Sequence, residues 1–148
     1  MRMHQYARVL VSSLLLAVAP FVLAVAPFGC SASKSAVQTG VKVTQIDVGR
    51  SVTADKAIAE KTDSFRPADT FYVSVKTDGS GPSATLTARW TYEDGQVVDE
   101  STQTILPTGG ATATEFHLAK PDGWPAGEYK VEVLLNRASA GTREFKVT

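Results

Sequence analysis

From residue 41 onward the chain alternates apolar and polar positions. Residues 70–77, TFYVSVKT, set Phe71, Val73 and Val75 on one side and Tyr72, Ser74 and Lys76 on the other. A period of two is what a strand with one buried face requires, because successive side chains leave opposite faces. Residues 84–92, ATLTARWTY, repeat the pattern, with Leu86, Ala88, Trp90 and Tyr92 predicted inward and Thr85, Thr87, Arg89 and Thr91 outward. The clearest run is 128–136, EYKVEVLLN, where Tyr129, Val131, Val133 and Leu135 share the inner face. Residues 112–118 contribute Phe116 and Leu118, and residues 142–148 contribute Phe145 and Val147. Residues 41–48, VKVTQIDV, change phase between Val43 and Ile46, which predicts a bulge.

Turn signals separate these runs: DGSGPS at 78–83, PTGG at 107–110, KPDGWPAG at 120–127 and RASAG at 137–141. EDGQ at 93–96 contains Asp94-Gly95, which predicts a two-residue hairpin with positive φ at both central positions. The return strand is 97–105. Residues 54–61, ADKAIAEK, are the one helix-tolerant stretch, short enough to be a loop or an irregular edge strand as well. The pattern gives about seven strands, and no pair of them is joined by a helical run of ten or more residues. The fold class is therefore all-β, a single sandwich of about seven antiparallel strands, with a small closed barrel as the alternative. About a dozen large apolar side chains face one layer, and at about 1.5–3 kcal/mol each on burial they supply one core without a disulfide.

The first residues read differently. RMHQYAR at 2–8 carries two arginines, and VLVSSLLLAVAPFVLAVAPFG at 9–29 carries no charge. A positive start, an apolar run and a small residue at its end predict a secretory signal over 1–29. The run, at roughly 20 residues, also suffices to span a bilayer, so a retained anchor is the alternative, although Pro20 and Pro27 would interrupt its helix. Cys30 is the only cysteine, so it forms no disulfide within the chain. SASKSAVQTG at 31–40 is small and polar, which predicts a flexible tether over 30–40 and a folded domain over 41–148.

The border at Cys30 resembles a bacterial lipoprotein signal, in which a small residue stands just before the cysteine. Gly29 holds that place, while Pro27 and Phe28 replace the usual Leu and small residue. The resemblance implies that Cys30 becomes the lipidated first residue of the mature chain. Its acyl chains would hold the protein on a membrane, at about 0.8 kcal/mol per buried CH₂. Ser31 follows, where lipoproteins kept at the inner membrane often carry Asp; the resemblance thus implies the outer membrane, with the domain facing the periplasm. Cleavage after Ala32 or Ser33 would instead give a soluble periplasmic or secreted protein.

A second resemblance covers 41–148. WPAGEYKVEVLLN followed by FKV, at 124–147, resembles the last hairpin of bacterial immunoglobulin-like domains, where G-x-Y-x-V-x-V precedes a turn and an F-x-V strand. FRPADTFYVSV at 65–75 is similar to the approach to an early core strand in small uncharacterised bacterial proteins of this type. It implies an immunoglobulin-like sandwich and no particular activity, since sandwiches host unrelated functions.

Charge and chemistry narrow the function classes. The whole chain is formally neutral, and removing 1–29 leaves 13 basic and 15 acidic side chains. No basic patch for nucleic acid and no Lys/Arg cluster for lipid headgroups stands out. After residue 29 the one histidine is His117, predicted on the polar face of its strand, and a triad needs Ser, His and acid together. Zinc takes three or four His, Cys or acid ligands. The acids Glu93-Asp94, Asp99-Glu100 and Asp122 match no calcium loop, and a domain of about 105 residues leaves a paired-carboxylate glycosidase little room for a cleft. No catalytic residue, metal or cofactor is predicted. Trp90 reads as core. Trp124, in a turn, is a candidate surface anchor for sugar or protein, or else folds back over the open end of the sandwich. The expectation is a non-enzymatic envelope lipoprotein, a binding or structural module whose partners are the membrane, through Cys30, and a protein, with no nucleic acid. The alternatives are an accessory subunit of an envelope secretion or assembly complex and a small hydrolase.

Overall fold

The computed structural model describes residues 40–148. The predicted signal at 1–29, and Cys30 with the tether up to residue 39, lie outside the described residues. Nine strands follow in order: β1 (Lys42–Val52), β2 (Ile58–Lys61), β3 (Ser64–Phe65), β4 (Phe71–Asp78), β5 (Ala84–Tyr92), β6 (Gln96–Ile105), β7 (Thr112–Leu118), β8 (Gly127–Leu135) and β9 (Ala138–Val147). They form a four-stranded sheet, β2-β1-β4-β7, and a five-stranded sheet, β3-β9-β8-β5-β6. Every pairing is antiparallel except that of the two-residue β3 with the end of β9.

The fold is an immunoglobulin-like β-sandwich. In the lettering of that fold, β1-β4-β7 is A-B-E and β9-β8-β5-β6 is G-F-C-C′. Two details agree. Trp90, on the strand in the place of C, is buried. Tyr129, near the start of the strand in the place of F, donates its hydroxyl to Pro125 O at 2.9 Å, the corner contact of this fold. The two-sheet arrangement removes the closed-barrel alternative.

The predicted inner faces close on one another. Phe71, Val73, Val75, Leu86, Ala88, Trp90, Phe116, Tyr129, Val131, Val133, Phe145 and Val147 are all buried. Tyr92, Leu118 and Leu135 are half-buried and pack at its margin. Phe71 sits at the aromatic centre. Its ring centroid is 4.9 Å from Phe65, 4.8 Å from Phe145, 5.5 Å from Tyr129 and 4.6 Å from Trp124. Such edge-on and offset contacts suit the ring quadrupole. Across the layers, Arg143 Nε on β9 donates to Ile46 O on β1 at 2.8 Å.

The local predictions fare unevenly. The register of β1 on β4 slips between Val43 and Gln45, where the phase change places a bulge. The helix-tolerant stretch holds no helix: Ile58–Lys61 is the short edge strand β2. β2 packs tightly on β1, because a Cβ on Gly49 would come within 2.1 Å of Glu60 O. Asp94-Gly95 does make a hairpin, but with three loop residues, and positive φ falls on Glu93 and Gly95. Glu93 is held there by β8, its N–H donating to Glu128 O at 2.9 Å and its Oε1 accepting from Glu128 N–H at 3.1 Å. The last hairpin turns at Asn136-Arg137, both with positive φ, so most of RASAG belongs to β9. Asn accepts that conformation readily, and two positive φ values match the twist of the flanking strands.

Candidate functional site

The two ends of the sandwich differ. One carries Gly40, where the described chain begins, together with the turns at 79–83 and 106–111. The other carries the loops at 66–70, 93–95 and 119–126.

At this second end a polar chain ties the loops to the core. Arg50 of β1 donates from Nε to Asp69 Oδ2 at 2.7 Å, from Nη1 to Glu60 Oε1 at 3.0 Å and from Nη2 to Ser64 O at 2.7 Å. Asp69 Oδ2 also accepts the Arg66 N–H at 2.8 Å. The Asp69 carbonyl then accepts Trp124 Nε1 at 3.0 Å, and the Trp124 N–H donates to Pro67 O at 2.8 Å. The Arg66 N–H, and after it the Arg50 guanidinium, hold the Asp69 carboxyl below the usual carboxylate range against the opposing effect of burial. Because the folded pKa is depressed, the stabilisation is present at neutral pH and is lost as pH falls below about 4 and through the folded value. Asp69→Asn should therefore lower stability at pH 7 and flatten the fall in urea midpoint between pH 5 and pH 2.5. An unchanged pH profile would show that the carboxylate plays no such part.

Trp124 is not an exposed anchor. It is 6% exposed and stacks on Phe71 with 22° between ring planes. The turn tryptophan has folded back over the open end, because an indole with its N–H satisfied gains more by covering Phe71 than by facing water. Its remaining edge borders a shallow groove of about 330 Å³, lined by Tyr92, Val97, Val98, Pro125 and Tyr129, with Lys120 at the lip. The Tyr92 hydroxyl donates to Ala126 O at 2.9 Å, and its ring centroid is 4.8 Å from that of Tyr129. Burial, reinforced by Tyr92 and Glu93, pushes the Tyr129 hydroxyl pKa up, so this wall stays neutral.

β6 forms the other wall and is itself unusual. It pairs with β5 on one side only, and it reads exposed or half-buried along all ten residues. The large hydrophobics exposed among the described residues are Val97, Val98 and Leu106, on β6 or immediately after it. Val98 is the extra residue of a bulge, since Trp90 faces Asp99 while Thr91 faces Val97. Gln103 Nε2 donates to Glu115 O of β7 at 2.7 Å, so the edge is tied to the other sheet there and open from residue 96 to 102.

Elsewhere the titratable groups are dispersed. His117 lies on the exposed polar face of β7, as predicted, with Nδ1 2.6 Å from Glu115 Oε1. Among the described residues no group of three or more His, Cys, Asp or Glu stands together as a metal site. The edge character of β6 escapes a strand-by-strand reading, although QVVDESTQTI lacks the alternation of its neighbours. The Arg50–Asp69–Trp124 chain leaves no sequence signal, because its members are 19 and 55 residues apart.

No protein-family model matches the chain, and no curated protein matches it in sequence. Solved structures do match in shape. The C-terminal domain of Wzt superposes with a TM-score of 0.51 at 12% identity, over 75% of each chain. An immunoglobulin-like protein of Pseudomonas aeruginosa gives 0.49 at 17% identity, over 76% of this chain and 99% of that one. The Pseudomonas fluorescens alkylpurine DNA glycosylase AlkC gives 0.47 at 16% identity, over 74% of this chain and 30% of that one. Identities this low speak to fold alone.

Proposed function

We propose that this chain is a non-enzymatic binding or structural module of the bacterial envelope, anchored at the outer membrane by lipid on Cys30 and facing the periplasm. The observation that carries the binding role is the open β6 edge, which presents unpaired backbone groups beside an apolar groove. Such an edge recognises a partner by adding its strand. The anchoring role rests on the lone cysteine after an uncharged run.

Mass spectrometry of the mature amino terminus, with fractionation of a Cys30→Ser variant, tests the anchor. The expected result is an acylated Cys30 as first residue and release of the variant from membranes. A mature chain beginning beyond residue 30 without acyl groups, or normal membrane retention of the variant, overturns it. Purification from membranes after crosslinking tests the module: a stable companion chain is expected, and a clean monomer overturns it.

A further inference from the structure

We infer that the β6 edge takes an extended strand of another protein, bearing Lys or Arg and carrying one bulky apolar side chain for the neighbouring groove. The inference rests on the binding-module reading and is independent of the lipid anchor.

The four edge strands are not alike. β3 has two residues and β2 four, and β2 carries Glu60 and Lys61 in ion pairs with Arg50 and Asp47. β7 gives one of its carbonyls to Gln103. β6 has ten residues with neither Lys nor Pro, and its guards against edge pairing are the bulge at Val98 and the acids Asp99 and Glu100, which leave the backbone uncovered. Its stretch 96–102 therefore offers a row of backbone donors and acceptors that an incoming strand can satisfy.

Charge selects the occupant. β6 carries Asp99 and Glu100 and no cation, Glu93 and Asp94 stand in the adjoining loop, and the cation lining the groove is Lys120. Glu100 is matched by Arg89 at 2.6 Å, whereas Asp94 and Asp99 have no ion-pair partner among the described residues. Asp99 stands on the face of Trp90 and Glu100 on the face of Arg89, so a strand bearing Lys or Arg meets an acid of β6 on either face. A second copy of β6 would set acid-bearing strand against acid-bearing strand with no cation between them, and like charges across a strand pair are unfavourable. The groove sets the remaining requirement. Tyr92, Trp124, Pro125 and Tyr129 give it an apolar floor, and Val97 and Val98, 58% and 38% exposed, stand at its β6 wall. An incoming strand has alternate side chains on the groove side, so one bulky apolar residue there is enough.

The test uses the full chain in a neutral detergent, with empty micelles as reference. The probes are fluorescent nine-residue peptides alternating Val with Lys, the same peptide with Glu for Lys, and the Lys peptide N-methylated at alternate backbone nitrogens. Polarisation should show the Lys peptide binding at least tenfold tighter than the Glu peptide at low salt. The advantage should shrink as salt rises, and N-methylation should abolish binding by removing strand donors. Amide NMR shifts should fall on residues 96–102. Asp94→Lys and Asp99→Lys together, checked for fold by circular dichroism, should reverse the charge preference. Equal binding of both peptides, insensitivity to N-methylation, or shifts confined to another face overturns the assignment, and the last result would leave the binding-module reading standing. Peptide-free dimerisation with residues 96–102 protected from exchange also overturns it, in favour of a second copy.

Discussion

Phe71→Ala is expected to destabilise the domain by about 3–5 kcal/mol, the range for truncating a buried phenylalanine. The upper half of the range is the better expectation here. Phe71 is wholly buried and touches aromatic rings from four directions: Phe65 of β3, Trp124 of the 119–126 loop, Tyr129 of β8 and Phe145 of β9. The cavity cannot collapse cheaply, because three of those rings are held by strands of the opposite sheet and the fourth by a loop tied to Pro67 and Asp69. Domains of this kind hold about 5–15 kcal/mol in total, so the variant should sit near the folding threshold at 37 °C. Urea unfolding at constant m-value gives the measurement. Phe71→Leu, which keeps most of the volume, should lose less than half as much. A loss below 1 kcal/mol for the alanine variant would mean that the aromatic cluster is not the centre of cohesion.

The strands that alternate are the ones that can be read without a structure. β4, β5 and β8 each bury an apolar face against the opposite sheet, and a slip of one residue would expose that whole face, so the sequence must keep strict period; Ser74, on the other side of β4, is buried as well because β4 lies between β1 and β7. Even the irregularity in β1 is legible, because a bulge moves the phase. β3 is another matter. Two residues have no period, yet Phe65 is wholly buried, since its parallel pairing with β9 depends on a chain segment about 80 residues away. Ile58–Lys61 shows the same dependence: helix-tolerant residues pair with β1 because the tertiary partner outweighs propensity. Turn positions follow similarly. Asp94-Gly95 announces a hairpin, but the contact of Glu93 with Glu128 decides which residues take positive φ.

The candidate site was less legible than the core, and for a physical reason. An edge is defined by what a strand lacks as a neighbour, and strand order is not a local property of the sequence. Val97 and Val98 in VVDESTQTI look like the start of a weak strand. They become notable only once β6 is seen to end the five-stranded sheet beside the groove. His117 is legible because its two apolar neighbours fix its face, and the exposed pairing with Glu115 bears this out.

Trp124→Ala should cost about 3 kcal/mol, and the comparison with Trp124→Phe should separate packing from hydrogen bonding. The alanine variant uncovers Phe71 and leaves the Asp69 carbonyl without its indole donor at 3.0 Å. Phenylalanine keeps a ring over Phe71 and loses chiefly that hydrogen bond, a loss of about 1 kcal/mol. Asp69 is held by the Arg66 N–H and Arg50 on one side and engages Trp124 through its carbonyl on the other. The losses in Asp69→Asn and Trp124→Ala should therefore fall short of additive in the double variant, as expected for residues in one network. An indole serving as an exposed anchor would behave otherwise: its removal would leave stability within about 0.5 kcal/mol, as for ordinary surface positions, and would show no coupling to Asp69. Urea midpoints for the four chains of that cycle distinguish the two roles, and additive losses would detach Trp124 from the Arg50–Asp69 chain even if the indole proves important by itself.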